Sequence, residues 1–440
     1  MKVLMFGWEF PPHITGGLGT ACFGLTKGLL HQGVEVIFVV PKAYGDESQE
    51  TVKLINASNI SIDIRKRITQ KYLKNITYIE IASNLVPYIG IEPFEKIINS
   101  ETKTIKHNFD ESIFREKFEF SGQYGPNLMK EVVRYALVAS SIAETTDFDI
   151  IHAHDWLTYP AGIAAKKISG KPLVVHMHAT EFDRSGENIN QNVYDIERKG
   201  MQEADMVIAV SNYTRNIIIE RYGINPDKVI TVYNAVEYDE TYFKYREEKS
   251  FPEKVVTFLG RVTYQKGPDY FVEAANKVLQ VDKNVRFVMA GSGDMLIRMI
   301  NRVAELSISS NFHFTGFLNE EEVNRLFAIS DVYVMPSVSE PFGISPLEAM
   351  RSSVPVVISK QSGVAEILQH ALKIDFWDID AMADSIYGLL HYNALSEMFR
   401  KEGKKEVERL KWKSSARKVI EVYEKALALS TKNIKMKKIS

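Results

Sequence analysis

Two glutamates, Glu340 and Glu348, stand eight residues apart in Ser339-Glu340-Pro341-Phe342-Gly343-Ile344-Ser345-Pro346-Leu347-Glu348-Ala349-Met350. The run before them, Asp331-Val332-Tyr333-Val334-Met335-Pro336, reads as a buried strand ended by proline. Pro346 suits the first position of a helix, where its missing N–H costs nothing. Glu340 is therefore expected in a loop at a strand's carboxyl end, and Glu348 in the first turns of a helix. The N–H groups of Phe342, Gly343 and Ile344 fall at that helix's N-terminus, where unpaired donors favour an anion or sugar hydroxyls. Two carboxylates around such donors can grip a charged sugar nucleotide. A capped helix with two surface glutamates would look the same, so the other motifs decide.

Gly260-Arg261-Val262-Thr263-Tyr264-Gln265-Lys266-Gly267 follows another apolar run. Arg261 offers a rigid fork for phosphate oxygens, and Lys266 sets a compact charge beside it. Gly16-Gly17-Leu18-Gly19 precedes an apolar helix and lets a ligand approach the backbone, although it has neither the dinucleotide-fingerprint nor the Walker spacing. Met289-Ala290-Gly291-Ser292-Gly293-Asp294 and Thr315-Gly316-Phe317-Leu318 are small-residue turns against which a nucleobase can lie. His152-Ala153-His154-Asp155 and His176-Met177-His178 put histidines two apart, on one face of a strand. Four imidazoles are a conceivable metal set. One of each pair should sit inside its strand, so no metal is expected, and Asp155 and His178 are expected at a cleft instead. Asp378-Ile379-Asp380 reads as a helix-capping loop because no strand precedes it.

These motifs need a scaffold. The chain has 440 residues, long for one core, which implies two domains. Hydrophobic residues make up 45% and charged residues 25%, with a formal net charge of -2, so nothing global advertises nucleic acid or an acidic membrane. No apolar run approaches the roughly 20 residues of a spanning helix. A single cysteine, Cys22, and the lack of a signal-peptide pattern lead us to expect a cytoplasmic protein. Short β-branched runs alternate with helical stretches in both halves, the signature of parallel sheets in doubly wound α/β domains. The sequence predicts strands near residues 2–7, 35–40, 148–152, 172–178, 206–210 and 229–233. A second series is predicted near 255–259, 285–290, 312–314, 331–335 and 354–358. The charged stretch 234–253 is expected to link the halves. Residues from about 46 to 127 fit the alternation poorly and read as an insertion. The last helix, near 414–429, must dock somewhere, and the lysine-rich tail after it reads as a frayed, solvated end.

Taken in order, the motifs resemble the retaining GT-B glycosyltransferases, in the group spanning family 4 and the glycogen and starch synthases (family 5). Gly260–Gly267 and Glu340–Met350 carry most of the resemblance, with Trp8-Glu9-Phe10-Pro11-Pro12 and Gly16–Gly19 at the front. It implies two Rossmann-like domains across a cleft: residues 1–240, 241–411, and a final helix in 412–440 crossing back to the first. It also implies site roles. Arg261 and Lys266 would neutralise the donor diphosphate, and Glu348 would bind the ribose. Glu340 and His178 would lie at the donor sugar as the catalytic pair. Phe342, Gly343 and Ile344 would donate N–H groups, with Gly17 and Leu18 approaching the diphosphate from the other domain. Asp155, Gly291, Phe317 and Leu318 complete the expected substrate contacts. No metal or cofactor is expected beyond the nucleotide-sugar substrate. Where the synthases carry a lysine two residues before the paired glycines, this chain has Ile14. The implied reaction is transfer of glucose from ADP- or UDP-glucose to the non-reducing end of an α-1,4-glucan. The alternatives are a family 4 transferase using a lipid-linked or soluble sugar acceptor, and a non-catalytic nucleotide-sugar-binding subunit.

Overall fold

The computed structural model describes residues 1–11, 16–44, 53–60, 118–122, 124–125, 127–236, 249 and 251–437. Seven strands form the first sheet: β1 (Lys2–Phe6), β2 (Glu35–Val40), β3 (Lys53–Asn56), β4 (Ile150–His154), β5 (Leu173–Met177), β6 (Met206–Ala209) and β7 (Val229–Thr231). Around it lie helices α1 (Gly17–Leu30), α2 (Leu128–Thr145), α3 (Tyr159–Ser169), α4 (Glu181–Ser185), α5 (Gln191–Glu203) and α6 (Asn212–Tyr222). The second sheet holds β8 (Lys254–Leu259), β9 (Val285–Ala290), β10 (Phe312–Gly316), β11 (Val332–Met335), β12 (Val356–Ser359) and β13 (Leu372–Ile374). Its helices are α7 (Pro268–Val281), α8 (Leu296–Glu305), α9 (Glu320–Ile329), α10 (Ser345–Arg351), α11 (Ile379–His391) and α12 (Asn393–Val407), followed by α13 (Trp412–Lys437).

Strand pairing is parallel throughout, in the orders β3-β2-β1-β4-β5-β6-β7 and β10-β9-β8-β11-β12-β13. Helices cover both faces, so the strands are buried on both sides and read as continuous apolar runs; Val3, Leu4, Met5 and Phe6 of β1 are all 0% exposed. Each order reverses at one point, between β1 and β4 and between β8 and β11. In such sheets the diverging loops at these reversals leave a crevice at the strands' carboxyl ends. The motifs after β1, β4, β8 and β11 therefore converge by topology alone.

Local chemistry places the helices. Thr180 and Asp183 form a reciprocal capping box at α4, as do Asn319 and Glu322 at α9. Asp378 accepts from Ala381 N at the start of α11, the cap expected from its sequence. The chain after α12 returns to the first sheet, where Trp412, Val419, Val422 and Tyr423 of α13 are buried with Leu25 of α1 and Val174 of β5. Two glycines one turn apart on α1 make that approach possible. A Cβ on Gly24 would meet the Trp412 ring at 2.3 Å, and one on Gly28 would meet the Trp412 carbonyl oxygen at 2.7 Å.

The structure departs from the sequence expectations in several places. Residues 53–56, assigned to the insertion, are β3, an edge strand in register with β2. Four residues with Lys53 and Asn56 at the ends are too short and polar to show a period. The rest of 61–117 lies outside the described residues, as does Ile14. The strand expected near 148–152 runs to His154, so both histidines of that pair are inside β4. The short edge strand β13 was not foreseen, and α13 continues helically through Lys437 rather than fraying after residue 429. Among the described residues no helix is long and apolar enough to cross a membrane.

Candidate active site

At the second sheet's reversal, β8 ends in Gly260 and runs through Arg261 to Lys266, while β11 ends at Met335 and runs to Glu340. Gly291 at the end of β9 has φ +137, and a Cβ there would sit 1.8 Å from the Gly260 carbonyl oxygen. Its first duty is thus to let the β8 and β9 ends touch. Gly267, with φ +63, has the same relation to Pro336, whose carbonyl oxygen would lie 2.2 Å from a Cβ. These contacts bring Lys266 onto Glu340: Nζ lies 2.5 Å from Oε2, and the side chains are 20% and 8% exposed. Ser337 Oγ donates to the same carboxylate oxygen at 3.1 Å. Arg261 donates to Gln265 Oε1 at 3.1 Å, and its charge opposes the burial that raises the Asp294 carboxyl.

The Glu340 loop is held like an extra strand. Glu340 N donates to the Gln361 carbonyl and its own carbonyl accepts from Gly363 N, each at 2.9 Å. Phe342 is buried, and its carbonyl accepts from Val364 N at 2.7 Å. Gly343 takes φ +97, a turn open to glycine. The N–H groups of Phe342, Gly343 and Ile344 donate no hydrogen bond among the described residues. Glu348 lies on α10 and is half-buried; burial raises its pKa, with Arg351 opposing. Phe317 is 64% exposed and Leu318 half-buried, both after β10.

At the first sheet's reversal, Gly16 and Gly17 open α1 with nothing within 4 Å of a Cβ on either, so neither is glycine for want of internal space. Beside them His152 and His154 of β4, His176 of β5 and His178 just after it form one stack. Ring centroids lie 4.2 Å apart for His152 and His154, 4.3 Å for His176 and His178, and 5.4 Å for His152 and His176. His154 Nδ1 is hydrogen-bonded to His178 Nε2 at 2.9 Å, and His152 Nδ1 to the Tyr423 hydroxyl of α13 at 2.6 Å. Burial holds the imidazoles neutral: His152 and His178 are each pushed down to about 3, and His154 and His176 well below the usual range. His178 alone of the four is half-exposed.

Asp155 corrects an expectation. It is not at the cleft surface but buried, in left-handed backbone with φ +59. Its Oδ1 accepts the N–H groups of His178 at 2.6 Å and Ala179 at 3.3 Å. Burial pushes its pKa up to about 6, opposed by the Arg184 charge and those two donors. Asp155 therefore fixes where β5 ends and His178 begins.

A set of residues that sequence reasoning missed joins the two reversals. Ser211, N-cap of α6, accepts from Thr214 N and donates to the Pro341 carbonyl at 2.5 Å. Thr214 Oγ1 donates to the same oxygen at 3.2 Å. Ser339 Oγ donates to Asp183 Oδ1 at 2.5 Å and pairs with the Tyr213 hydroxyl at 2.9 Å. The Glu366 carboxylate accepts from Asn212 N at 3.0 Å and Tyr213 N at 2.5 Å, supplying two orphan donors of α6 from the opposite sheet. Ser211 is readable as a cap from a serine between a strand and a helix; its second bond, 130 residues away, leaves no sequence signal. The structure thus assembles Lys266, Glu340, Ser337 and Ser339 with Asp183 and Tyr213 at the junction. His178 follows β5, Gly17 opens α1, and Phe317 is exposed after β10.

Comparison with known proteins bears on this arrangement. The model of Glycosyltransferase Family 4 matches residues 112–240, and that of Glycosyl transferases group 1 matches residues 242–406. An uncharacterized glycosyltransferase of Methanocaldococcus jannaschii is 28% identical over 448 residues, covering 98% of this chain and 99% of its own. A glycogen synthase of Mycobacterium tuberculosis is 23% identical over 380 residues, with 83% and 80% covered. Sucrose-phosphate synthase from Thermosynechococcus elongatus superposes with a TM-score of 0.70 at 16% identity, covering 97% of this chain and 99% of that one. The catalytic domain of Starch Synthase IV from Arabidopsis thaliana, bound to ADP and acarbose, gives 0.66 at 16% identity over 97% and 99%. Two parallel-sheet Rossmann-like domains, with consecutive matches to two glycosyltransferase families, make this chain a GT-B glycosyltransferase of the group 1/family 4 type.

Proposed function

We propose that the protein is a retaining hexosyltransferase that moves glucose from ADP- or UDP-glucose to the non-reducing end of an α-1,4-glucan. The observation that carries this reading is the Lys266–Glu340 pair at the β8/β11 reversal, where a strand-end crevice meets one cation and one carboxylate. In the proposed cycle Lys266 exchanges Glu340 for the donor diphosphate, joined by Arg261, and Glu340 is left beside the sugar. The bond from the anomeric carbon to the diphosphate breaks, a bond to the acceptor oxygen forms on the same face, and the acceptor's proton passes to the departing phosphate oxygen. Cations and unpaired N–H groups stabilise the charge that develops on the leaving phosphate without a metal. Glu348 takes the ribose hydroxyls, Phe342, Gly343 and Ile344 donate to sugar or phosphate, and Gly17 and Leu18 close on the diphosphate. His178, neutral and half-exposed, donates to a sugar hydroxyl. Gly291 with Phe317 and Leu318 borders the base. A cytoplasmic enzyme without nucleic-acid partners fits this chemistry.

The glucan acceptor rests on relatives named glycogen synthase and on the fold shared with a starch synthase domain bound to ADP and acarbose. A small-molecule acceptor is the second reading, supported by the 2-deoxystreptamine N-acetyl-D-glucosaminyltransferase of Niallia circulans, 23% identical over 59% of this chain. A donor and acceptor screen separates them. Nucleotide release is followed with ADP-, UDP- and GDP-sugars against glycogen, maltooligosaccharides, small aminocyclitols and lipid extracts. Elongation of glycogen with an α-linked product supports the first reading. No glucan elongation with either glucose donor overturns it.

A further inference from the structure

The histidine stack contains more than the proposed transfer uses. His178 alone reaches the cleft, whereas His152, His154 and His176 are fully enclosed. Four of the enclosed ring nitrogens have no hydrogen-bond partner among the described residues: Nε2 of His152, Nε2 of His154 and both nitrogens of His176. Buried polar atoms are normally paired, and an imidazole costs more in an apolar core than the residue that could replace it. Three such side chains on adjacent strands, His154 directly opposite His176 in the β4/β5 register, call for a common partner.

We infer that His152, His154 and His176 form a buried structural site for one divalent transition-metal ion of the zinc class. Each offers a ring nitrogen that lies within 4.8 Å of the other two. Drawing them to the roughly 3.4 Å that Zn–N bonds of about 2.0–2.1 Å require takes rotation about χ2, a broad torsion for histidine. Their far sides are arranged as metal-bound histidines usually are. Nδ1 of His152 is held by the Tyr423 hydroxyl and Nδ1 of His154 by His178, which leaves Nε2 of each as the nitrogen without a hydrogen bond among the described residues. Three neutral imidazoles suit Zn²⁺, Co²⁺, Ni²⁺ or Cu²⁺ and not Mg²⁺ or Ca²⁺. Two buried carboxylates, Glu9 and Asp155, supply compensating charge close by, since both act on the thiol of the neighbouring Cys22. Cys22, His154 and His178 form an overlapping group of similar spacing. His178 is half-exposed and already bonded to His154, whereas the triad is enclosed and has unpaired ring nitrogens, so the triad is the assigned site. The ion joins β4, β5 and α13 beneath the site and takes no part in the transfer.

Elemental analysis of the full chain, stripped with a chelator, reloaded with Zn²⁺ and gel-filtered, tests the site. One retained ion per chain is expected, with a Tm that falls on chelation and recovers on reloading. Co²⁺ loading should give the visible absorption of an ion held by imidazole nitrogens, a readout that needs no variant. Tyr423→Phe removes only the hydroxyl behind His152 and should weaken binding about 10–100-fold. His176→Leu should abolish stoichiometric binding. Retention below about a tenth of an ion per chain at saturating free Zn²⁺, where one-site occupancy is expected to be complete, would overturn the inference. So would an unchanged Co²⁺ spectrum in folded His176→Leu.

Discussion

Lys266→Ala removes one ammonium and leaves two consequences that can be measured apart. In the resting protein it strands Glu340, whose side chain is 8% exposed, with Ser337 Oγ as its remaining side-chain partner. The full Coulomb term at short range and an effective dielectric of about 20 is about 4 kcal/mol, most of it offset by desolvation of both groups. Lys266 keeps 20% exposure, so a net stability loss of about 1–2 kcal/mol is expected. The kinetic consequence is larger. Losing one preorganised charge from the departing diphosphate should lower kcat by about 10²–10³, or roughly 3–4 kcal/mol of transition-state stabilisation. Glu340→Gln separates the two, because it removes the stranded charge and leaves the cation. In Lys266→Ala/Glu340→Gln the stability deficit should shrink while the kcat deficit remains. Nucleotide release under saturating donor gives kcat, and thermal unfolding gives the stability change. A Lys266→Ala enzyme with kcat within about threefold of wild type would refute the phosphate assignment, since threefold is under 1 kcal/mol.

The cross-sheet staple is tested by Glu366→Ala, which leaves Asn212 N and Tyr213 N without their acceptor. We expect about 1–3 kcal/mol of lost stability and a more open particle by small-angle scattering; an unchanged scattering profile and Tm would show that the staple does not hold the sheets. Gly28→Val drives a branched side chain into the Trp412 carbonyl, 2.7 Å from the first added carbon. It should cost about 1–3 kcal/mol and change tryptophan fluorescence, and a silent substitution would deny that α13 needs the notch. The pH prediction concerns Glu197, enclosed with Arg184, Glu181 and Tyr222. Burial pushes it from 4.5 up to about 8, with Arg184 opposing. The folded chain keeps this proton where the unfolded chain has lost it. Stability from this group is therefore full below about 4.5 and lost as pH rises to about 8, by up to about 1.4 kcal/mol per unit. Glu197→Gln should flatten that slope between pH 5 and 8, measured by urea unfolding; a slope identical to wild type would sink the assignment.

Much of the scaffold was legible because parallel strands buried on both faces announce themselves as apolar runs. β2 and β9 match their expected bounds, and the motifs after β8 and β11 follow strand ends as expected, though the reversal between those strands was not foreseen. β3 and β13 were not legible, since three or four residues at a sheet edge carry no periodicity. The character of Asp155 was misread for a physical reason. An acid next to a strand end can face outward or turn back onto the neighbouring strand's N–H groups, and only the +59° backbone angle decides. Gly24 and Gly28 were passed over because a glycine inside a helix pattern says nothing until the partner that fills its notch is known.

The least legible feature is also the one that organises the site. The carbonyl of Pro341, next to Glu340, is gripped by Ser211 and Thr214, and Ser339 on the other side is gripped by Asp183 and Tyr213. All four grips come from the first sheet's helices. The Glu340 loop is thus held from both domains, by Gln361 and Gly363 of its own and by these four groups of the other. Parting the sheets would remove the four cross-sheet grips and leave the bonds of Glu340 to Lys266, Ser337, Gln361 and Gly363. Gly363 makes the joining close enough: a Cβ there would lie 2.2 Å from the Pro341 carbonyl oxygen and 2.4 Å from Ser211 Cβ. The loop that carries Glu340 toward the helix of Glu348 is therefore held by hydroxyls and a carboxylate from the other sheet's side.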